Sequence, residues 1–147
     1  MTTKDLIVER LFDATVPRVW QAITDKSEMK KWYFDLEEFI PKVGFTFQFL
    51  AGEDEGKKFL HFCEITEVVK EKKLSYSWRY DGLQGNSFVT FELFKQDDKT
   101  LLKLTHKGLE TFAEAGPDFA KESFSKGWNY FLYDALKNYL EPDKPGE

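Results

Sequence analysis

The 147-residue chain has little cysteine and no long apolar run, and each shortage excludes a class of protein. Cys63 is the only cysteine, so an intramolecular disulfide cannot form, which fits a reducing compartment. No window approaches the roughly 20 apolar residues of a membrane span. The first ten residues, MTTKDLIVER, lack the apolar core of a signal peptide. A cytoplasmic protein without stable membrane insertion is therefore expected.

The chain is also short of positive charge and of histidine. The balance of 21 Lys and Arg against 26 Asp and Glu gives a net charge of −5, which disfavours binding to nucleic acid through its phosphates. His61 and His106 are the only histidines, and without an acidic cluster on their face they fall short of a catalytic metal site. Glycine-rich phosphate loops and paired-carboxylate motifs are missing as well. The sequence predicts no metal and no cofactor.

Aromatic residues, in contrast, are abundant, since 15 Phe, 6 Tyr and 4 Trp make up 17% of the chain. Many lie near the end, where residues 125–141 are SKGWNYFLYDALKNYLE. Apolar residues recur there at three- and four-residue spacing, which predicts an amphipathic helix from about Asp118 to Glu141. Aromatic side chains suit bulky cores and the walls of apolar cavities, so this helix is expected to cover a large apolar surface.

Two short helices are predicted after a first strand over residues 5–14. Thr15 is placed to cap the first helix, and Pro17 is tolerated in its first turn. Asp25, followed by Glu28 three residues later, resembles a capping box for the second helix, which ends near Trp32. The separate start signals predict two helices in tandem rather than one long rod.

The apolar period changes to two between residues 35 and 107, which predicts β-strands over 44–50, 59–66, 74–80, 88–94 and 101–107. Short turns separate them and favour antiparallel pairing. Six to seven strands would make a flat sheet about 30 Å wide, whereas one helix is only about 10–12 Å across. The sheet is therefore expected to curl around the last helix and to enclose an apolar chamber.

This element order resembles the helix-grip fold of the START and Bet v 1-like superfamily. The resemblance is carried by RLFDATVPRVWQAITDKSEMKKWY (10–33), LSYSW (74–78), FVTFEL (88–93), LLKLTHKGL (101–109) and GW (127–128). In order and spacing these segments are similar to the branch related to the C-terminal domain of the activator of Hsp90 ATPase. The resemblance implies one α+β domain over residues 1–147, with a curved antiparallel sheet around a long C-terminal helix.

Thirteen residues are predicted to line the chamber, because their alternation or helical spacing turns them towards it. They are Trp32, Phe47, Phe49, His61, Cys63, Tyr76, Trp78, Tyr80, Phe91, His106, Phe124, Trp128 and Phe131. Arg79 and Glu92 are predicted to point outward, unless a bulge reverses the parity and turns Arg79 inward to hold a carboxylate.

Several of these residues have two interpretations. His61 and His106 are either an acid/base or polar anchors for a ligand, or neutral core histidines with hydrogen-bonded partners. Cys63 is either a nucleophile or a small buried hydrophobe, the usual state of a free cysteine. Trp20 and Trp32 are expected to hold the short helices against the sheet, with Trp32 also placed at the mouth of the chamber.

Three functional hypotheses follow. The first is non-catalytic binding of a small hydrophobic or amphipathic molecule, lipid-like or polycyclic, in the chamber. The second is a protein-interaction module of the Hsp90-activator type, with a filled interior and a chaperone as partner. The third is a cyclase or hydrolase acting on an apolar substrate, in which His61, His106 or Tyr76 would act. The oligomeric state stays open, because exposed edge strands permit pairing without specifying it.

Overall fold

An antiparallel sheet forms the body of the molecule. The computed structural model describes residues 5–33, 36, 38–52, 58–82, 85–115 and 121–141. Within these residues the sheet has six strands in the order β1-β6-β5-β4-β3-β2. The strands are β1 (Leu6–Phe12), β2 (Thr46–Gly52), β3 (Lys58–Val69), β4 (Lys73–Tyr80), β5 (Ser87–Gln96) and β6 (Lys99–Lys107).

Two short helices connect the opposite edges of this sheet. They are α1 (Val16–Thr24) and α2 (Lys26–Trp32), and they carry the chain from β1 at one edge to β2 at the other. Helix α1 packs on β5 and β6, so the crossing runs over one face of the sheet. The predicted order of one strand, two short helices, an antiparallel sheet and a last helix is confirmed.

The alternation of residues along the strands separates a buried face from an outer face, as the period of two predicts. On β4, Tyr76, Trp78 and Tyr80 are buried, whereas Arg79 between them is exposed. A register shift does occur, but it lies between Ile65 and Glu67 on β3 and leaves Arg79 pointing outward. Its guanidinium lies 4.7 Å from the centre of the Phe62 ring on the outer face. The helix-grip fold class is confirmed.

The last helix changes its winding along its length. It runs as α3 (Lys121–Asn129), a π-helical stretch (Tyr130–Leu136) and α4 (Lys137–Leu140), after a 3-10 helix over Leu109–Ala115. The predicted start near Asp118 lies outside the described residues. The π-helical stretch was not predicted, because apolar residues in this segment fit ordinary α-helical spacing equally well. No helix among the described residues combines the length and hydropathy that crossing a membrane requires.

The capping predictions for the short helices are correct only in part. Asp25 caps α2, since its carboxylate accepts a hydrogen bond from the Ser27 backbone N–H at 3.0 Å. Thr15 occupies the N-cap of α1 with an extended backbone, but its side chain makes no capping hydrogen bond. The capping box was wrong, because the Asp25 N–H donates to Gln21 O and Glu28 has other partners.

Glu28 instead links three helical elements. Its Oε1 accepts from Arg18 Nη1 of α1 at 2.5 Å and from the Tyr139 hydroxyl of α4 at 2.8 Å. Glu28 is largely buried, and a carboxylate in that position needs such partners. A single side chain of α2 therefore holds the C-terminal end of the last helix against α1.

Replacing Glu28 with glutamine should destabilise the fold by weakening this link. Because Arg18 is partly exposed, we expect the free energy of unfolding to fall by about 1–2 kcal/mol for Glu28→Gln. Urea denaturation followed by circular dichroism measures the change. Glu110→Gln, at an exposed position of the 3-10 helix, is the matched control and should change stability by less than about 0.5 kcal/mol. Equal stability of the two variants would contradict the role of Glu28.

Candidate functional site

The predicted chamber residues all lie on the side of the sheet that the last helix covers. Twelve of the thirteen are buried, and Phe131 is half-buried. Their rings contact one another across the sheet and the helix, for example Trp78 and Trp128 with ring centres 5.5 Å apart. The fold thus brings the predicted residues together, and their side chains occupy much of the space between sheet and helix.

His106 lies at the centre of a hydrogen-bonded relay. The Trp128 indole N–H donates to His106 Nδ1 at 3.0 Å, and His106 Nε2 lies 2.8 Å from Ser87 Oγ. The Ser87 hydroxyl donates in turn to the backbone carbonyl of Trp78 at 2.8 Å. Because an indole N–H can only donate, His106 carries its proton on Nε2 and is neutral. We call this chain of bonds the His106 relay, and it joins α3 to β6, β5 and β4.

Ser87 owes its position to a close approach of two backbones. Gly108 follows β6 with φ +86°, and a Cβ atom there would lie 2.8 Å from Asn86 O and 3.1 Å from Ser87 Cα. Only glycine adopts this backbone without strain and leaves that space free. The glycine thereby permits Ser87 to meet the end of β6 and complete the relay.

His61 is a second neutral histidine, placed near the other edge of the sheet. Its Nδ1 lies 2.8 Å from the backbone carbonyl of Phe59, which can only accept, so this nitrogen carries the proton. Its ring stacks on Phe49 at 4.5 Å and meets the edge of Tyr80 at 4.6 Å. Both histidines therefore match the interpretation of hydrogen-bonded core histidines, with tautomers set by their partners.

Burial keeps the titratable groups of the site uncharged at neutral pH. It lowers the pKa of His106 to about 3 and that of His61 to about 4, although the hydrogen bond to Phe59 opposes the shift of His61. Burial also raises the pKa of the Cys63 thiol and of the Tyr76 and Tyr80 hydroxyls. The site offers neutral hydrogen-bonding groups on aromatic walls.

Tyr33 is the central residue of the site that the sequence analysis missed. It stands at the C-cap of α2, and its ring stacks on Trp32 at 4.9 Å and on Trp128 at 6.1 Å. Its hydroxyl lies 2.7 Å from the Tyr76 hydroxyl, and its ring meets the edge of Phe131 at 5.1 Å. Tyr33 comes directly after Trp32, the last residue of α2, so neither the apolar spacing of the helix nor a motif identified it.

Trp32 and Phe112 close the ends of the site. The Trp32 indole N–H donates to the backbone carbonyl of Ala22 at 2.8 Å, so this bond joins α2 to α1, whereas the prediction placed Trp32 against the sheet. Phe112, in the 3-10 helix, is buried against Tyr80 at 5.2 Å and Phe124 at 6.2 Å. Ser87 and Phe112 were also missed, because strand parity does not mark the residues at the ends of elements.

A cavity of about 400 Å³ opens on the opposite, outer face of β2, β3 and β4. Its lining includes Glu38, Gln48, Glu64, Ser77 and Arg79. The Glu64 N–H donates there to Ser77 Oγ at 3.0 Å, beside the register shift of β3. Of the thirteen predicted site residues, Phe47 and Cys63 also contribute to this lining, so the cavity borders the aromatic site but is lined mainly by other residues.

Comparison with known proteins supports the fold. Residues 13–141 match a family model described as Activator of Hsp90 ATPase homolog 1-like protein. A search of curated protein sequences found no significant match. The solved structure of protein Mll3558 from Rhizobium loti is similar, with a TM-score of 0.80 and 21% identity over 93% of this chain and 96% of that chain.

Two further solved structures have the same architecture. Protein BH1534 from Bacillus halodurans has a TM-score of 0.74 and 26% identity over 96% of this chain and 100% of that chain. The Aha1 dimer from Colwellia psychrerythraea has a TM-score of 0.72 and 21% identity over 97% of this chain and 99% of that chain. These similarities establish the architecture in which the aromatic site lies.

The neutral histidines predict a stability that falls as the solution becomes acidic. In the unfolded chain both histidines take up a proton near pH 6.5. In the folded chain His61 stays neutral down to about pH 4 and His106 down to about pH 3. Between these values the unfolded state binds more protons, so each histidine lowers the free energy of unfolding by up to about 1.4 kcal/mol per pH unit of acidification.

Denaturation between about pH 7.5 and 5 measures this slope. His106→Gln and His61→Gln should each reduce it by about one proton, and the double variant by about two. Because these two histidines are the only ones in the chain, each single variant is the control for the other. Slopes identical to that of the unmodified protein would show that the histidines are not buried and neutral.

Proposed function

The chain belongs to the Activator of Hsp90 ATPase homolog 1-like family, and on this premise we propose that it binds a small, flat, apolar or amphipathic molecule. The molecule would lie between the helix-covered face of the sheet and the C-terminal helix. The observation that carries the proposal is the position of Tyr33. Its phenol ring fills a place with aromatic walls and a hydrogen-bonding partner, the Tyr76 hydroxyl, which we call the Tyr33 site.

The walls of the Tyr33 site have the geometry of a flat-ring binding site. Trp32 and Trp128 lie at 27° and 23° to the Tyr33 ring, so both are nearly parallel to it. Phe131 closes one side at 70°, an edge-on contact. Such stacked and edge-on contacts are the favoured arrangements of aromatic pairs. A planar ring in place of Tyr33 would keep all three contacts.

The polar group of the site defines the chemistry of the ligand. The Tyr76 hydroxyl is buried, and in this structure its partner is the Tyr33 hydroxyl at 2.7 Å. A buried hydroxyl without a hydrogen bond is costly, so a ligand that displaces Tyr33 has to replace this bond. We infer a ligand with a planar aromatic or polycyclic body and one hydroxyl or carbonyl group at its end.

Tyr33 is the side chain that is able to leave the site. It lies beyond the last residue of α2 and is half-buried, whereas Trp32, Tyr76 and Trp128 are buried within regular elements. Rotation of its side chain would vacate the site without breaking a backbone hydrogen bond of the sheet. Phe131, on the other side, belongs to the π-helical stretch, and such stretches occur frequently at functional sites.

Binding of 2-naphthol tests this proposal, with naphthalene as the ligand that lacks the hydroxyl. Quenching of tryptophan fluorescence reports occupancy, because Trp32 and Trp128 form the walls. We expect 2-naphthol to bind about 3–10-fold more tightly than naphthalene, and Tyr76→Phe to remove this preference. Tyr33→Ala should tighten the binding of both compounds, since no side chain then has to be displaced.

Phe88→Ala is the control, because Phe88 is an exposed aromatic residue on the outer face of the sheet, away from the Tyr33 site. It should leave both affinities unchanged. Native mass spectrometry of the gently purified protein adds an independent readout, since a discrete mass lost on denaturation would reveal a natural ligand. If neither compound bound to the unmodified protein or to Tyr33→Ala, the proposal would be wrong.

A protein-interaction role is the second candidate function. It is favoured by two observations, the close contacts among the interior rings and the exposed apolar side chains of the outer face, such as Ile7 and Phe94. The description of the matching family names an activator of Hsp90 ATPase. Co-purification with the Hsp90 homologue of the host, and a change in its ATPase rate, would support this role. An unchanged rate at saturating protein would exclude it.

A further inference from the structure

The outer face of the sheet carries a row of charges that alternate in sign. Across neighbouring strands, Glu9 of β1 pairs with Lys103 of β6, Lys103 with Glu92 of β5, and Glu92 with Lys73 of β4. We call these four residues the charged row. Lys73 forms an ion pair with Glu67 at 3.1 Å, whereas Glu9, Lys103 and Glu92 form none within the part of the chain that the structure describes.

An apolar row runs beside the charged row. Leu11, Leu101 and Phe94 are aligned across β1, β6 and β5, two residues along each strand from the charges. Ile7 and Phe88 lie on the same face, on the opposite side of the charged row. Leu11, Phe94, Ile7 and Phe88 are 42%, 44%, 48% and 42% exposed, so the face has large apolar side chains in contact with solvent. Such a grouping marks an interaction surface more often than a scatter of single residues does.

A partner for this face needs charges in the reversed order and an apolar strip in register with the apolar row. A second copy of the chain meets both needs when it is related by a two-fold axis parallel to the strands, between β5 and β6. Lys103 then faces the partner's Glu92, and Glu9 faces the partner's Lys73. At the same level Leu101 faces the partner's Phe94. A two-fold axis across the strands would instead oppose like charges.

Pairing through the edge of the sheet is disfavoured on the β1 side. The Tyr133 hydroxyl of the last helix donates to the backbone carbonyl of Glu9 at 2.6 Å. This carbonyl of the β1 edge therefore already has a donor and is less available to the N–H group of an added strand. The Arg10 guanidinium lies over the same Tyr133 ring at 4.9 Å. On the outer face, in contrast, large apolar side chains of the described strands are exposed.

We propose that two copies of the chain associate face to face through the charged row and the apolar row. In face-to-face packing of this kind, the strand directions of the two sheets differ by about 30°. Four strands at about 4.8 Å and seven residues at about 3.4 Å give a patch of roughly 400 Å² on each copy. This is small for a stable interface, so the dimer should form at micromolar to millimolar concentration.

Two charge reversals test the arrangement. Glu92→Lys and Lys103→Glu should each weaken self-association about tenfold or more, because each opposes like charges at two symmetric positions. Mixed in equal amounts, the two variants should form a heterodimer with nearly the affinity of the unmodified protein. In that heterodimer every facing pair of the charged row again has opposite signs, although the contacts within each chain stay disturbed.

Sedimentation equilibrium from about 1 µM to about 1 mM measures these affinities, and circular dichroism checks that each variant is folded. Glu110→Lys, at an exposed position away from the face, is the control for net charge and should associate like the unmodified protein. Phe94→Ser tests the apolar row independently and should also weaken association. A monomeric unmodified protein across this range, or two folded variants that do not associate when mixed, would overturn the proposal.

Discussion

The hydrogen bond from the Trp128 indole to His106 is the interaction on which the arrangement of the site depends. It is buried among aromatic rings, where a polar group without a partner is costly, so both ends must stay in place. Because the indole N–H can only donate, Nδ1 of His106 accepts and the proton of the ring lies on Nε2. Nε2 therefore donates to Ser87, whose hydroxyl donates to Trp78, and the helix is linked to three strands. The sheet and its helix are held at one relative position by four polar groups in a row.

This relay and the Tyr33 site share a residue, and that shared residue connects stability with binding. Trp128 donates to His106 through its indole nitrogen and stacks on Tyr33 through its ring. The helix therefore presents a wall whose orientation is fixed, while Tyr33, the side chain that fills the site, stands at the end of a short helix. A binding site with one fixed wall and one displaceable side chain can accept a ligand without unfolding the strands around it.

The sequence was sufficient for the fold because the strands alternate cleanly. On β4 and β5 almost every inward position is apolar or aromatic, so parity predicted most of the buried side chains, with Ser75 as an exception. The site was predicted less completely, because its decisive contacts join residues far apart in the chain. Glu28 looked like a local cap but binds Arg18 and Tyr139, and Tyr33 has no periodic signal at all. The π-helical winding near Phe131 depends on packing that local spacing does not encode.

The tautomer of His106 in solution tests the central interaction most directly. Nitrogen-15 NMR of the histidine side chains at neutral pH distinguishes a proton on Nε2 from one on Nδ1. The relay predicts a neutral ring with the proton on Nε2 and a bare Nδ1 that accepts from the Trp128 indole. A proton on Nδ1, or a charged ring at neutral pH, would contradict the relay and the fixed position of the helix that follows from it.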